Sequence, residues 1–427
     1  MASKTIGKTA WVIAAPDGII SSRCGIGVVV HSFFEAFDEL LLQARSLSGN
    51  VAIHAIGIAL DRSSADRDDE IERRVRLVCG QRGGALHLVS NTKPARYATD
   101  VFSSTVYERE IDEWRHCSRR VANHVDEISG QYERTHVILH DTMLLATLAF
   151  CKRLSGRSFL WIAHSLGAFF SGSLSAQALE IEREVLSAVA ARDDIFFGYI
   201  GEQVRQSLIE DYNLPTERLV AITNGIFHKS ARFTPVPIDQ YIPAHAKVIF
   251  AFGRADHQKG FDLLLAAFAN VHSRLPDHHL ILLAPQGQDE SYAEFLKSQL
   301  SDVPASRFTI IDRFIENFPQ AMLVHDQLDM VVLPSRFEAN SIAGLEASAF
   351  TRSSVAVIYS DIQCFVDAFR GRPNAICLEE LTVTALEKAL EKARQERREV
   401  DGGAANENSF VRNTAAAIDA FAVHEVD

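Results

Sequence analysis

The segment Gly253-Arg254-Ala255-Asp256-His257-Gln258-Lys259-Gly260-Phe261-Asp262 follows a strand-like run from Lys247 to Phe252. Two cations five residues apart, Arg254 and Lys259, can converge on one anion if this loop lies at the carboxyl edge of a sheet, and the flanking glycines Gly253 and Gly260 let backbone approach it closely. A diphosphate is the natural guest. Further on, the run Met330 to Leu333 leads through Pro334-Ser335-Arg336-Phe337 into Glu338-Ala339-Asn340-Ser341-Ile342-Ala343-Gly344-Leu345-Glu346. A helix starting near Ser341 would aim the N–H groups of Asn340, Ser341 and Ile342 at an anion, with the positive end of its dipole beside it. Glu338 then stands just before the first turn and Glu346 further along the helix, two carboxylates suited to neutral hydroxyls on either side of a phosphate group. A sugar, a diphosphate and a ribose are the three parts such a site requires, and a nucleotide sugar supplies them. Taken singly, each segment has a plainer reading, as a solvated basic loop or as a helix-end and a surface carboxylate. Their occurrence together at one sheet edge favours a ligand.

The elements that must hold these residues are legible as alternation. Short β-rich runs recur at Trp11 to Ala15, Val51 to Gly57, His136 to Leu139, Phe159 to Ala163 and Ile195 to Ile200, separated by helix-length segments, which predicts βαβ units with parallel strands. The pattern resumes at Lys247 to Phe252, Leu280 to Ala284, Phe308 to Ile311, Met330 to Leu333 and Val355 to Tyr359. With 427 residues, more than one hydrophobic core is expected. The fold class read from this is α/β, two Rossmann-like domains: residues 1–228, an acceptor-side domain, and 229–405, a nucleotide-sugar-binding domain. Pro235, Pro237 and Pro243 mark the linker between them. A last amphipathic helix, with Phe410, Ala417, Ile418 and Phe421 at helical spacing, makes 406–427 a C-terminal segment expected to pack on the first domain.

Acidic residues outnumber basic ones by 55 to 43, a net charge of −12, which disfavours nucleic acid and anionic membranes as partners. The six cysteines, at 24, 79, 117, 151, 364 and 377, are scattered singly, so reduced thiols and a cytoplasmic location are expected. The apolar run Trp11 to Ala15 is too short for a signal peptide or an integral membrane segment.

The amino-terminal half carries a second constellation. Gly25, Ile26 and Gly27 open an apolar-faced helix, where backbone could approach an anion, although Gly-x-Gly is frequent and a structural turn is an equal reading. His140 and His164 fall at the carboxyl ends of two strands, where open α/β sheets place their ligands. A lone histidine is often structural, and that reading stays open for His140. Ala163-His164-Ser165-Leu166-Gly167 also imitates the nucleophile elbow of an α/β-hydrolase, but lacks its first glycine and leaves the Glu338 and Arg254 segments unexplained. Gly7-Lys8-Thr9 imitates the end of a P-loop without its first glycine and before a strand. Asp66-Arg67-Asp68 imitates a metal-binding Asp-x-Asp, yet it lies in a mixed-charge stretch and reads as a solvated helix start, so no metal is expected.

Gly253-Arg254 with Lys259-Gly260, Leu333-Pro334-Ser335 and the Glu338-x7-Glu346 pair resemble the signature of family 4 retaining glycosyltransferases with the GT-B fold, from about Val248 to Ala347. The resemblance implies two Rossmann-like domains facing each other across a cleft, with Arg254 and Lys259 on the donor diphosphate, Glu338 on the sugar and Glu346 on the ribose. It also implies that His164 faces the reaction centre. Ser21 to Gly27 is similar to the family's Gly-Gly-Ile-Gly loop with Cys24 in place of the first glycine, and Asn224-Gly225-Ile226 is similar to its turn at the linker. The chain departs from the family after Glu338, where Ala339-Asn340-Ser341 replaces the commoner Pro-Phe-Gly, and after Glu346, where the usual small turn is Phe350-Thr351-Arg352-Ser353-Ser354. The implied activity is retaining transfer from a nucleoside-diphosphate sugar; the acidic balance of the chain favours a small soluble hydroxyl acceptor such as an amino-sugar or aminocyclitol, and no cofactor or metal is expected. A homodimer is compatible with it. Two alternatives share the fold: a pseudo-glycosyltransferase with a cyclitol donor, and a non-catalytic nucleotide-sugar-binding protein.

Overall fold

The computed structural model describes residues 9–22, 25–61, 64, 67–90, 111–169, 173–225, 227, 236–285, 290–315, 317–395 and 410–423. Arg23, Cys24, Asp66, Ile226 and Pro235 lie outside them. The chain divides into two compact units, residues 1–227 with 409–427, and 228–408.

The first unit is built on a seven-stranded sheet of order β3-β2-β1-β4-β5-β6-β7. Its strands are β1 (Thr9–Ala15), β2 (Val51–Ile58), β3 (Leu86–Val89), β4 (Arg134–His140), β5 (Arg157–Ala163), β6 (Ile195–Tyr199) and β7 (Leu219–Ala221). Every pairing is parallel. Parallel strands covered by helices on both faces are largely apolar, and β2 and β5 are buried at every residue, His54, Arg157 and Ser158 included. The helix Phe410–Val423 returns to this unit. Phe421 packs edge-on against Trp11, His136 and Phe196, and the Asp419 carboxylate accepts from the backbone N–H groups of Arg45 and Ser46 at 3.0 and 2.8 Å.

The second unit carries a six-stranded parallel sheet of order β10-β9-β8-β11-β12-β13. Its strands are β8 (Lys247–Phe252), β9 (His278–Leu283), β10 (Phe308–Ile311), β11 (Leu328–Leu333), β12 (Ala356–Ser360) and β13 (Ala375–Leu378). Alternate strand residues serve two cores, one on each face: Ile249, Ala251, Leu280 and Leu282 with Leu264, Leu265 and Phe268 on one side, and Val248, Phe250, Ile281 and Leu283 with Phe318 and Met322 on the other.

The expected strand runs are all strands, and β3, β7 and β13 are additional. These three lie at the sheet margins and are only three or four residues long, with partly exposed side chains. In each sheet the strand order reverses beside the first strand, between β1 and β4 and between β8 and β11. Ligands of doubly wound sheets bind outside the carboxyl ends of strands at such switch points. Among the described residues no helix is long and apolar enough to cross a membrane, and Cys79, Cys117, Cys151, Cys364 and Cys377 are free thiols.

Candidate functional site

At the switch point of the second unit, β8 runs into the Gly253 loop and β11 into Pro334. Gly253 takes a φ of 147° and Gly260 a φ of 65°, backbone conformations that side chains with a Cβ rarely adopt. At Gly260 space is also decisive: a Cβ there would lie 2.0 Å from the carbonyl oxygen of Pro334, so only glycine lets the two loops meet. Their junction brings Lys259 Nζ to 2.6 Å from Glu338 Oε1, which also accepts from Ser335 Oγ at 2.8 Å. The Ser360 hydroxyl at the end of β12 donates to the Ser335 carbonyl at 2.5 Å, locking this turn to the next strand. Glu338 and Ser335 are buried. Burying a carboxylate is costly unless it is paired and hydrogen-bonded, and here it is both.

Arg254 does not join this pair. Its guanidinium is half exposed and lies 3.2 Å from Asp256, so it remains reachable at the loop's outer side. Glu346 sits on the helix Ile342–Phe350, partly buried, where it accepts from Gln320 Nε2. Burial pushes its carboxyl up to about 7, against the Gln320 hydrogen bond, which favours the charged form.

The helix begins one residue later than the sequence suggests. Ser341 is its N-cap, accepting from Gly344 N through its hydroxyl at 3.2 Å, and Ile342 is the first helical residue. The N–H groups of the first turn are therefore those of Ile342, Ala343 and Gly344, the last engaged by the cap, while Asn340 precedes the helix.

A set of residues that the sequence did not single out for a role ties the two loops together. Arg336 lies bidentate on Asp262, at 2.8 and 2.7 Å, and donates to the His257 carbonyl at 2.6 Å. Tyr292 donates to the same Asp262 at 2.8 Å. Burial raises the Asp262 carboxyl, but the hydrogen bonds from Arg336 and Tyr292 outweigh it and hold it below its ordinary value. Gln320, Ser335, Asp262 and Arg336 were hidden because their partners lie 3 to 74 residues away, in patterns that only the folded loops create.

In the first unit, the Gly25 to Gly27 turn starts the helix Gly25–Glu35. A Cβ at Gly27 would lie 2.1 Å from Asp17 Oδ2, so the close approach that requires a glycine is to the protein's own carboxylate. Asp17 also accepts from Ser21 Oγ at 2.5 Å. His140 and His164 do meet: Nδ1 of one lies 3.0 Å from Nε2 of the other, with the rings stacked at 5.3 Å. Burial holds both toward the neutral form, bringing His164 down to about 4 and, with the repulsion of His164, holding His140 well below its ordinary value.

Asp141, beside them, has a φ of 68° and ψ of 165°, a region almost confined to glycine. Its carboxylate accepts from Ser165 Oγ at 3.3 Å and its carbonyl from Trp161 Nε1 at 2.9 Å. Burial raises its carboxyl to about 6 despite hydrogen bonds from Thr142 and Ser165. Behind this corner the buried Glu182 accepts from Gly167 N at 2.8 Å and from Tyr212 Oη, and burial brings it to about 7. The Ser165 hydroxyl thus serves Asp141, and the His164 ring is engaged by His140, which is not the Ser–His contact of a nucleophile elbow. Asp68 caps the helix Asp69–Gln81 through Glu70 N and Ile71 N, the helix-start role expected for it.

Residues 238–406, all in the second unit, match the family described as Glycosyl transferases group 1. The chain is similar to the mannosylfructose-phosphate synthase of Agrobacterium fabrum, 28% identical over 36% of this chain, and the match spans only 36% of that protein. In fold it is similar to the N-terminal domain of trehalose-6-phosphate phosphatase from Candida albicans, with a TM-score of 0.69, 14% identity and coverage of 100% of this chain and 99% of that one. It is likewise similar to the sucrose-phosphate synthase of Thermosynechococcus elongatus, with a TM-score of 0.65, 14% identity and coverage of 97% and 95%. Two doubly wound domains in GT-B arrangement of sequence are thus the fold, and the second unit carries the sequence features of group 1 glycosyltransferases.

Proposed function

We propose that the chain is a retaining glycosyltransferase that moves a sugar from a nucleoside-diphosphate sugar to a small soluble hydroxyl acceptor. The observation that carries this reading is the meeting of Lys259 with Glu338 at the β8/β11 switch point, with Glu346 along the adjoining helix and the family match spanning all three.

In this reading Lys259, Arg254 and the first-turn amides of the helix Ile342–Phe350 take the diphosphate, and Glu338 and Glu346 take hydroxyls of the sugar and ribose. As the anomeric bond breaks, negative charge grows on the leaving diphosphate where fixed cations and amides already point, so no reorganisation is needed at the moment of reaction. The acceptor approaches the face being vacated, and the departing phosphate takes its proton. Glu338 orients Lys259, and a phosphate oxygen shares its ammonium, which has three N–H donors. The His140–His164 pair, held neutral, and Asp141 belong to the acceptor side. Two similar proteins are named for phosphorylated disaccharides, which supports a sugar-type acceptor, and the acidic balance of the chain favours an amino-sugar or aminocyclitol within that class. No metal takes part.

Thermal-shift screening against uridine, guanosine, adenosine and thymidine diphosphates and their sugars identifies the donor, and product analysis with that donor then reads transfer and anomeric configuration. Lys259→Ala and Arg254→Ala are each expected to lower kcat by about 10²- to 10³-fold. Near-normal turnover in either, transfer with inversion, or loss of transfer on adding a chelator would each overturn part of the proposal. If Ser165→Ala abolished turnover while Glu338→Ala left it intact, the transferase reading would fall altogether.

A further inference from the structure

We propose that the Asp262–Arg336 pair is a positioning bracket for the diphosphate grip: it touches no phosphate itself, but fixes the loop carrying Lys259 against the loop carrying Glu338. The inference rests on the reading of the site given above. An exposed ion pair would contribute little, since the entropy of holding two long side chains offsets most of the attraction. This pair is different in four ways.

Both side chains are largely withdrawn from solvent, at 28% and 14% exposure. The contact is a two-pronged fork, Nη1 to Oδ1 at 2.8 Å and Nη2 to Oδ2 at 2.7 Å, a geometry that fixes orientation as well as distance. Each partner is held by something else, Arg336 by the His257 carbonyl at 2.6 Å and Asp262 by the Tyr292 hydroxyl at 2.8 Å. The same two loops are also joined through backbone: Arg336 N donates to the Gln258 carbonyl at 2.7 Å, and Gln258 Nε2 donates to the Phe337 carbonyl at 2.9 Å.

The bracketed positions are 257 and 258 on one loop with 262 in the first turn of the helix Phe261–Val271 that follows it, and 336 and 337 on the other loop. Lys259 lies between the first set and Glu338 directly follows the second, and their side chains meet at 2.6 Å. Because Arg336 and Asp262 neutralise each other, the fork presents no net charge of its own to an anion. The bracket therefore sets where Lys259 stands without adding to its field. Lysine cannot replace Arg336 in this role, since a single ammonium cannot make the fork and reach the His257 carbonyl in the same plane.

The test is calorimetric binding to the full chain of a nucleoside diphosphate and the monophosphate of the same base, in wild type, Arg336→Met, Arg336→Lys and Asp262→Asn, below each protein's melting temperature. In wild type the diphosphate binds more tightly. In Arg336→Met and Asp262→Asn its Kd is expected to rise by about tenfold or more while that of the monophosphate changes by less than about threefold, with Arg336→Lys between. A merely structural role would weaken both ligands alike or lower only the melting temperature, and either result overturns the proposal, as does an undiminished diphosphate advantage in the variants. Should Arg336→Met not fold, Asp262→Asn and Arg336→Lys carry the same comparison. A wild-type chain that binds no nucleoside diphosphate overturns the reading of the site itself, a failure distinct from that of the bracket.

Discussion

Asp141 combines two costs at one position, a backbone conformation almost confined to glycine and a carboxyl raised from 3.8 to about 6 by burial. The second cost can be isolated by Asp141→Asn, which keeps the shape and the acceptor oxygen but cannot ionise. In the unfolded chain the carboxyl loses its proton near its ordinary value, whereas in the native unit it resists until about 6. Ionisation therefore favours unfolding: the native state has its full stability below the unfolded pKa, loses it as pH rises toward 6, and stays lower above that. At 1.36 kcal/mol per pKa unit, the rise corresponds to about 3 kcal/mol. The asparagine variant lacks this loss. Relative to wild type it should gain about 3 kcal/mol of stability between pH 3 and pH 7.5, whatever constant offset its extra N–H groups impose. With a few degrees of melting temperature per kcal/mol for a unit of this size, the gap between the two melting curves should widen by roughly 6 to 12 °C over that interval. Thermal or urea unfolding of both proteins, followed by tryptophan emission in the first unit, reads this directly. Parallel stability curves across the range would refute the reasoning, because they would mean that the native Asp141 ionises as readily as the unfolded one.

Other outcomes follow from neighbouring geometry. Glu346 must be ionised to accept two hydroxyls, and burial raises it to about 7, so nucleoside diphosphate affinity should increase with pH through neutrality; Glu346→Gln should bind more weakly with that dependence removed, and an unchanged pH profile would argue against the ribose role. His54 is held down to about 4 by burial and by His87, so its native form resists protonation and stability is lost as pH falls from 6.5 toward 4; His54→Gln should flatten that acid limb in urea titrations at pH 4.5 and 7. Gly260→Ala would place a Cβ 2.0 Å from the Pro334 oxygen at a φ of 65°, so unit two should melt markedly earlier and lose diphosphate binding together, as circular dichroism and calorimetry would show. Lys259→Met leaves Glu338 buried without its ammonium, at a cost of about 1 to 3 kcal/mol in the second unit's unfolding free energy, and the Glu338→Gln/Lys259→Met double variant should recover part of it.

What the sequence determined by itself was whatever is written in local periodicity and in contiguous motifs. Uninterrupted apolar runs separated by helix-length segments specify parallel strands buried on both faces, because no other arrangement covers both sides of such a run, and so the doubly wound sheets were legible down to most strand positions. Gly253, Arg254, Lys259 and Gly260, and the Glu338-x7-Glu346 spacing, were legible for the same reason: each motif is one loop at the end of one strand.

Tertiary structure decided everything that joins residues distant in the chain. Which cation meets Glu338 depends on β8 and β11 lying side by side, a fact of strand order and not of spacing; it brought in Lys259 and left Arg254 with Asp256. The start of the helix at Ile342 was set by the Ser341 cap. The Asp262–Arg336 fork, the Gln320–Glu346 bond and the Glu182–Tyr212 contact span 74, 26 and 30 residues, and Asp141's backbone is held by a corner assembled from β4 and β5. A hydrogen bond acts over about 3 Å, and at such separations in sequence only folding fixes which groups come that close.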